Sequence, residues 1–303
     1  MDDNQRHLTE RFLEHLSLER RLSPHTVTSY RRDLDCLLTY CDAHAVSRWR
    51  DLKSHHLRSF AASAHAQGLS PRSIQRRLSG VRGFMNFLIR EGHITQNPAA
   101  DISAPQAPRH LPGTLDVDQM ARLLEIRGND PVTVRDRAML ELLYSSGLRL
   151  AELVSLDPED VDLADAMIRV TGKGNKVRLI PVGRHARASV IEWLPVRPEL
   201  AAADEKALFV GVRGRRISPR TIQNRVRYWA TRAGLPQRVY PHLFRHSFAT
   251  HLMESSRDLR AVQELLGHAD ISTTQIYTHL DFQHLAQIYD EAHPRARRQE
   301  KRR

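Results

Sequence analysis

A proline-rich stretch in the first half of the chain is the feature that most restricts its fold. Residues 97–112 read NPAADISAPQAPRHLP, without an apolar repeat. Proline removes a backbone donor and keeps the preceding residue out of the helical conformation, so an extended linker is predicted here. A chain of 303 residues is long enough for two domains with separate cores. We therefore expect a domain over residues 1–97, a linker over 98–112 and a second domain over 113–303.

The sequence before this stretch has the apolar repeat of α-helices. Residues 4–20 and about 54–66 carry apolar side chains at helical spacing. Ser23-Pro24 and Ser70-Pro71 open two further helices, because serine caps a helix and proline fits its first turn. The first domain is therefore predicted to be an all-helical bundle.

After the linker, helices are predicted first and a β-hairpin follows. The helical segments are residues 116–127, 133–146 and 150–156. Apolar residues then alternate over 167–170 and 176–182, and the turn TGKGN between them has Lys173 at its tip. A lysine between two glycines is usually solvated, so this residue by itself does not indicate a function. The predicted fold class is mainly α with a small β-hairpin or sheet, in two domains.

The charge of the chain indicates a polyanionic partner, with nucleic acid as the first candidate. Lys and Arg number 46 against 35 Asp and Glu, a net charge of +11. Ser-Pro-Arg sequences at 70–72 and 218–220 place an arginine at a helix N-terminus, where N–H groups can bind phosphate. Plain helix capping is the alternative at each Ser-Pro pair. The DNA-contact candidates are Arg72, Arg76, Arg77 and Arg220, and on the fourth helix we also expect Arg82 to face outward.

The N-terminus and the cysteines indicate the compartment. The polar start MDDNQRHLTE lacks the apolar core of a signal peptide, and no apolar run is long enough for a membrane span. We therefore expect a soluble, cytoplasmic protein without a membrane partner. Cys36 and Cys41 lie five residues apart on one predicted helix, which fits neither a redox pair nor a metal site.

Residues 241–277 concentrate side chains that can bind phosphate or transfer a proton, namely His242, Arg245, His246, His251, His268 and Tyr277. On a helix, His242, Arg245 and His246 share one face. The opposite side carries the apolar set Leu243, Phe248, Leu252 and Met253. Such histidines and arginines are also common as hydrogen-bonded surface or core residues. A zinc site is rejected, because no glutamate base lies between His242 and His246 and an arginine there would repel the cation.

The order and spacing of six residues resemble the tyrosine site-specific recombinases. They are Arg149 in SGLRLAEL, Lys173 in TGKG, His242 and Arg245 in HLFRH, His268 in LLGH, and Tyr277. The resemblance covers nearly the whole chain, including a helical DNA-binding domain, and the C-terminal sequence is most similar to the Xer group of this family. One departure is Phe244, where the family usually has leucine.

The resemblance implies a catalytic role for each of these residues. Tyr277 would attack a DNA phosphodiester and form a phosphotyrosine at the 3′ end, while Arg149 and Arg245 bind the phosphate. Lys173 is the family's candidate for protonating the leaving 5′ oxygen. His242 and His268 would handle the nucleophile's proton or bind the phosphate, and the sequence leaves open which does which. No acidic cluster suited to magnesium accompanies the motifs, so we expect no metal, no ATP and no other cofactor.

The resemblance also implies partners. A Xer-type recombinase would bind double-stranded DNA at a short two-armed site, form a heterotetramer there with a related, XerD-like recombinase and resolve chromosome or plasmid dimers. A DNA translocase of the division septum is a further partner implied for this group. The alternatives are an integrase of the phage or integron type and a DNA-binding regulator that has lost catalysis.

Overall fold

The computed structural model describes residues 1–20, 22–104, 113–172 and 177–256. These residues are mainly helical with one three-stranded sheet, which confirms the predicted fold class. The helices are α1 (Asp3–Leu18), α2 (Pro24–Ala43), α3 (Ser54–Ala66), α4 (Pro71–Arg90), α5 (Val117–Leu124), α6 (Pro131–Ser145), α7 (Leu150–Ser155), α8 (Arg184–Val196), α9 (Pro219–Arg232) and α10 (Pro241–Ser256). The strands are β1 (Val161–Asp162), β2 (Met167–Thr171) and β3 (Val177–Pro181). No described helix is long and apolar enough to cross a lipid bilayer.

The chain divides into two compact units, Met1–Leu111 and Pro112–Arg303. The N-terminal unit is the predicted helical bundle of α1 to α4 around one apolar core. The ring of Phe12 lies 5.4 Å, centroid to centroid, from both Phe84 and Phe87, so α1 packs on α4 through aromatic contacts. Ser23 and Ser70 cap α2 and α4 by accepting a hydrogen bond from the backbone N–H three residues later, as the Ser-Pro pairs predict.

The first part of the predicted linker belongs to the N-terminal unit, which corrects the expectation of an extended segment from residue 98. Ala99 and Ile102 are buried in the core of the bundle. Arg82, which was expected to face outward, is partly buried and donates to their carbonyl oxygens, from Nε to Ala99 at 3.2 Å and from Nη2 to Ile102 at 3.0 Å. An irregular segment can be buried here because the guanidinium satisfies its backbone acceptors. Residues 105–112 lie outside the described part of the chain.

The C-terminal unit is built around α6, which is buried on nearly all sides. Helices α5, α7, α8 and α10 pack against it. A helix in this position needs apolar side chains around most of its circumference, which Leu140, Leu142 and Leu143 provide. Its buried polar residues include Arg135 and Asp136, which form an ion pair with Nη2 and Oδ1 2.7 Å apart.

That buried ion pair joins α6 to α9. Oδ2 of Asp136 accepts a hydrogen bond from Nε1 of Trp229 at 2.9 Å and another from Nε of Arg225. Nη1 of Arg135 donates to the carbonyl oxygen of Val210 at 2.9 Å. The carboxylate can be buried because each of its oxygens has donors, two of them cationic.

The sheet is antiparallel in the order β1-β2-β3. Strands β2 and β3 form the predicted hairpin, whereas the two-residue β1 was not predicted. The register pairs Ile168 with Ile180 and Val170 with Arg178. Because side chains alternate along a strand, Arg178 lies in the same phase as the buried Ile180. The hairpin therefore directs an arginine toward the interior of the unit.

Helix α10 carries the predicted apolar set with one exception. Leu243, Phe248 and Leu252 are buried, but Met253 is exposed near the end of the helix, which corrects its assignment to the apolar face. Phe244 is also buried. The larger side chain at this position is therefore accommodated in the core.

Candidate active site

The turn between α6 and α7 brings the backbone close to α10. Gly147 has a φ of +55°, a left-handed conformation that disfavours residues with a Cβ atom. A Cβ atom at this position would lie 2.5 Å from Cδ1 of Phe248. Glycine is therefore needed both for the turn and for the close approach of the Phe248 ring.

Arg245 is fixed by that same turn. Its side chain is buried, and Nη1 donates a hydrogen bond to the carbonyl oxygen of Gly147 at 2.6 Å. Burial, together with the positive charge of Arg149, lowers the pKa of Arg245 to about 10. The guanidinium still carries its charge at neutral pH, so α10 presents a buried cation beside the turn.

Arg149 stands at the N-cap of α7, as its place after the Ser-Gly-Leu turn suggests. Its backbone N–H donates to Oε2 of Glu152 at 2.8 Å, and its side-chain Nη1 donates to Oε1 at 2.8 Å. The Arg149 side chain is 42% exposed, whereas that of Glu152 is 4% exposed. The buried carboxylate therefore anchors a more accessible guanidinium.

Arg178 and its partner Glu152 are site residues that the sequence analysis missed. Nη1 and Nη2 of Arg178 donate to Oε1 and Oε2 of Glu152 at 3.0 and 3.1 Å. Burial by itself raises the pKa of Glu152, but the hydrogen bonds from Arg178 and from the backbone N–H of Arg149 outweigh it, so the net pKa is lowered. An arginine in the inward phase of β3, two residues before Ile180, is the signal that could have identified it.

These four residues, Arg149, Glu152, Arg178 and Arg245, are called the arginine cluster below. The guanidinium groups of Arg149 and Arg178 donate to the Glu152 carboxylate, and Arg245 lies close enough to feel the charges of these residues. Three positive charges and one negative charge leave a surplus of two positive charges. Guanidinium groups can bind phosphate oxygens in pairs of parallel hydrogen bonds. The arrangement is thus suited to an anion such as a phosphodiester.

The remaining predicted catalytic residues are placed differently. His242 lies on the exposed side of α10, and its ring centroid is 4.6 Å from that of His246. His251, grouped in the sequence analysis with the phosphate-binding candidates, is a buried residue whose Nδ1 lies 2.9 Å from the hydroxyl oxygen of Tyr144. Burial lowers the pKa of His251, which favours its neutral form and a structural role. The predicted Lys173, His268 and Tyr277 lie outside the described residues.

The four DNA-contact candidates fall into two groups. Arg72 and Arg220 are exposed in the first turns of α4 and α9, beside the serine caps. Arg76 instead binds both carboxylate oxygens of the buried Asp33, with Nη2 and Oδ1 2.9 Å apart. Arg77 is largely buried, with Nε 3.6 Å from Oδ1 of Asp33 and the guanidinium 5.7 Å from the ring centroid of Phe60. Both arginines therefore pair with Asp33, but the side chain of Arg76 is 55% exposed, whereas that of Arg77 is 15% exposed.

Comparison with protein families assigns both parts of the chain. Residues 113–284 match the family described as the phage integrase family. Residues 9–92 match the phage integrase N-terminal SAM-like domain.

Curated relatives match over almost the full length of the chain. A tyrosine recombinase XerC of Pseudomonas aeruginosa strain PAO1 is 55% identical over 288 residues, which cover 95% of this chain and 94% of the relative. A tyrosine recombinase XerC of Alcanivorax borkumensis is 54% identical over 290 residues, with 95% and 94% coverage.

Solved structures of related enzymes have the same fold. The XerH site-specific recombinase bound to a palindromic difH substrate, in a post-cleavage complex, matches with a TM-score of 0.70 and 26% identity. That match covers 92% of this chain and 83% of the XerH chain. A lambda integrase dimer bound to a COC′ core site has a TM-score of 0.70 at 17% identity, over 98% of this chain and 80% of the integrase, and supports the fold alone. With both domains matched and curated relatives above half identity, the chain belongs to the phage integrase family of tyrosine recombinases.

Proposed function

We propose that this protein is a site-specific DNA recombinase of the XerC type, which cuts and rejoins DNA strands through a covalent phosphotyrosine. The observation that carries the proposal is the arginine cluster, in which Arg245 is held by the Gly147 carbonyl beside the Glu152-anchored Arg149. A buried cation next to a more exposed one forms a clamp for a single anionic group. The net charge of +11 supports DNA as the source of that anion.

The clamp would act mainly on the transition state. In-line attack on a phosphodiester gathers negative charge on the non-bridging oxygens of phosphorus. Arg149 and Arg245 would each bind one of these oxygens with hydrogen bonds that strengthen as the charge develops. Because Arg245 is already fixed by Gly147, little reorganisation is needed when the transition state forms.

The covalent step is assigned to Tyr277. Its phenolic oxygen would attack phosphorus, the bond from phosphorus to the 5′ oxygen would break, and the DNA 3′ end would remain on the tyrosine. The 5′ oxygen would take a proton from Lys173 and leave as a hydroxyl. His242 and His268 would handle the tyrosine proton or bind the phosphate. Rejoining is the same step in reverse, with a 5′ hydroxyl as nucleophile, and needs no ATP or metal.

The partners and the DNA contacts are part of the same proposal. The XerC relatives support a XerD-like partner, with which the protein would form a heterotetramer on a two-armed site and resolve chromosome or plasmid dimers. A DNA translocase of the division septum is a further partner in this proposal. Arg72 and Arg220, exposed beside helix N-termini, would make the main contacts with the DNA backbone. Arg76 and Arg77 would mainly hold Asp33 and would add only a weak attraction to the DNA.

The decisive experiment is covalent trapping. Short duplexes with a nick beside each candidate cleavage position lose the small fragment after cleavage, so the protein stays attached and is separated on a denaturing gel. Tyr277→Phe should give no adduct and keep half-site binding, since only the nucleophilic oxygen is lost. Tyr240→Phe, which changes an exposed tyrosine next to α10, is the control and should form adduct normally. Recovery of the adduct from Tyr277→Phe would refute the assignment.

A further inference from the structure

We propose that Arg178 is a positioning residue for strand cleavage: by sharing the carboxylate of Glu152, it prevents that carboxylate from neutralising Arg149. The inference rests on the proposed recombinase function, and it concerns a residue outside the six that the family resemblance supplied. It derives from contacts, burial and charge within the arginine cluster.

Arg178 is more buried than Arg149, as this role requires. Both donate to the same carboxylate, but the side chain of Arg178 is 15% exposed and that of Arg149 is 42% exposed. Arg178 contributes both terminal nitrogens to Glu152, one to each oxygen, and the Arg149 side chain contributes Nη1 to Oε1. Arg178 is therefore the main counter-ion of the carboxylate, and Arg149 is the cation presented to a ligand.

The positive charge of Arg178 determines how strongly Arg149 can attract a phosphate. A buried carboxylate with Arg149 as its only cation would pair with it one to one, and the pair would attract a phosphate weakly. With Arg178 present, Glu152 holds the Arg149 guanidinium through Oε1 while a second guanidinium balances its charge, so the positive surplus of the cluster remains. Glu152 then orients Arg149 without cancelling its charge.

Simple helix capping does not require Arg178. The backbone N–H of Arg149 already donates to Oε2 of Glu152, which satisfies the N-cap of α7. The fork from Arg178 is an additional contact that comes from β3, 26 residues further along the chain. Strand β3 begins directly after residues 173–176, so the fork also ties the strand that follows Lys173 to the helix that begins after Arg149.

The test compares Arg178→Gln with Arg169→Gln in the nicked-duplex assay. Arg169 is a matched control, because it lies on the adjacent strand β2, is exposed and pairs with Asp160 on the surface, with Nη2 and Oδ1 3.2 Å apart. At saturating DNA, Arg178→Gln should slow adduct formation about ten- to hundredfold, since small misplacements of a binding group have effects of this size. Half-site affinity should change less than about threefold, and Arg169→Gln should behave as the unaltered chain.

A double-mutant cycle with Glu152→Gln separates positioning from general damage. If Arg178 acts through Glu152, Arg178→Gln should have little further effect once Glu152 is glutamine, because no carboxylate charge remains to be shared. Equal slowing in both backgrounds would overturn the inference. If Arg178→Gln does not fold, Arg178→Lys decides: lysine keeps the positive charge that balances Glu152, so cleavage should stay near the rate of the unaltered chain, and slowing of about ten- to hundredfold at unchanged binding would refute the charge-sharing role. Absence of any adduct with the unaltered chain would instead overturn the proposed function, and this inference with it.

Discussion

Replacing Gly147 by alanine tests how the active-site turn is held. The left-handed backbone at this residue should destabilise a residue with a Cβ atom by about 1–2 kcal/mol. The new methyl group would also overlap the Phe248 ring, 2.5 Å from Cδ1, and overpacking of this kind destabilises by about 1–3 kcal/mol. The expected loss is therefore about 2–5 kcal/mol in the C-terminal unit.

Gly234→Ala is the matched control for the backbone contribution. Gly234 lies in the same unit with a φ of +66°, and an added Cβ atom would have no neighbour within 4 Å. Its replacement should therefore remove only about 1–2 kcal/mol. The difference between the two variants isolates the contact between Gly147 and Phe248.

Native-state hydrogen exchange of peptides from α6 and α10 measures these differences within the C-terminal unit of the intact chain. Protection should fall more in Gly147→Ala than in Gly234→Ala, and adduct formation should slow only in the former, because the Gly147 carbonyl also fixes Arg245. Equal loss of protection in the two variants would refute the close-packing argument. An unaltered cleavage rate in Gly147→Ala would refute the link between the turn and Arg245.

Three further predictions concern separate parts of the chain. Lys173→Ala should slow cleavage of normal DNA far more than cleavage of DNA with sulfur as the 5′ bridging atom, since a thiolate leaves without a proton; equal slowing would assign the proton to another group. Arg72→Ala should make the slope of log DNA affinity against log salt concentration shallower by about one. Arg76→Ala should mainly lower the melting temperature, because Asp33 loses the guanidinium that binds both of its oxygens. The reverse pattern would contradict the placement of the two arginines. Alkylation of the folded protein at pH 8 should modify Cys36 before Cys41, whose pKa burial raises to about 12, and equal rates in a mass-spectrometric time course would contradict this.

Local patterns predicted most of the helices, because helix formation depends on residues within a few positions of one another. Ser23, Ser70 and Ser218 each cap a helix by accepting from the N–H three residues later, a contact that the short sequence around each serine contains. The alternation around the TGKGN turn likewise predicted the hairpin of β2 and β3. The order of the six motif residues was sufficient to indicate the family.

Contacts between distant residues could not be predicted in this way. The absence of an apolar repeat around Ala99 suggested a linker, but its carbonyl is satisfied by Arg82 on another element, which allows the segment to be buried. Arg76 has the spacing of a surface residue, yet it pairs with Asp33, 43 positions away. Local sequence does not reveal which distant residue of opposite charge will form an ion pair with a given side chain.

The candidate site combines both kinds of information. The sequence identified Arg149 and Arg245 by their motifs, because the chemistry of phosphate binding restricts the residue types that can serve. It did not show that Arg245 donates to the Gly147 carbonyl, 98 positions away, or that Arg178 shares Glu152 with Arg149. Those contacts depend on how α7, β3 and α10 pack, since a guanidinium is oriented by whichever acceptors the fold brings within hydrogen-bonding distance.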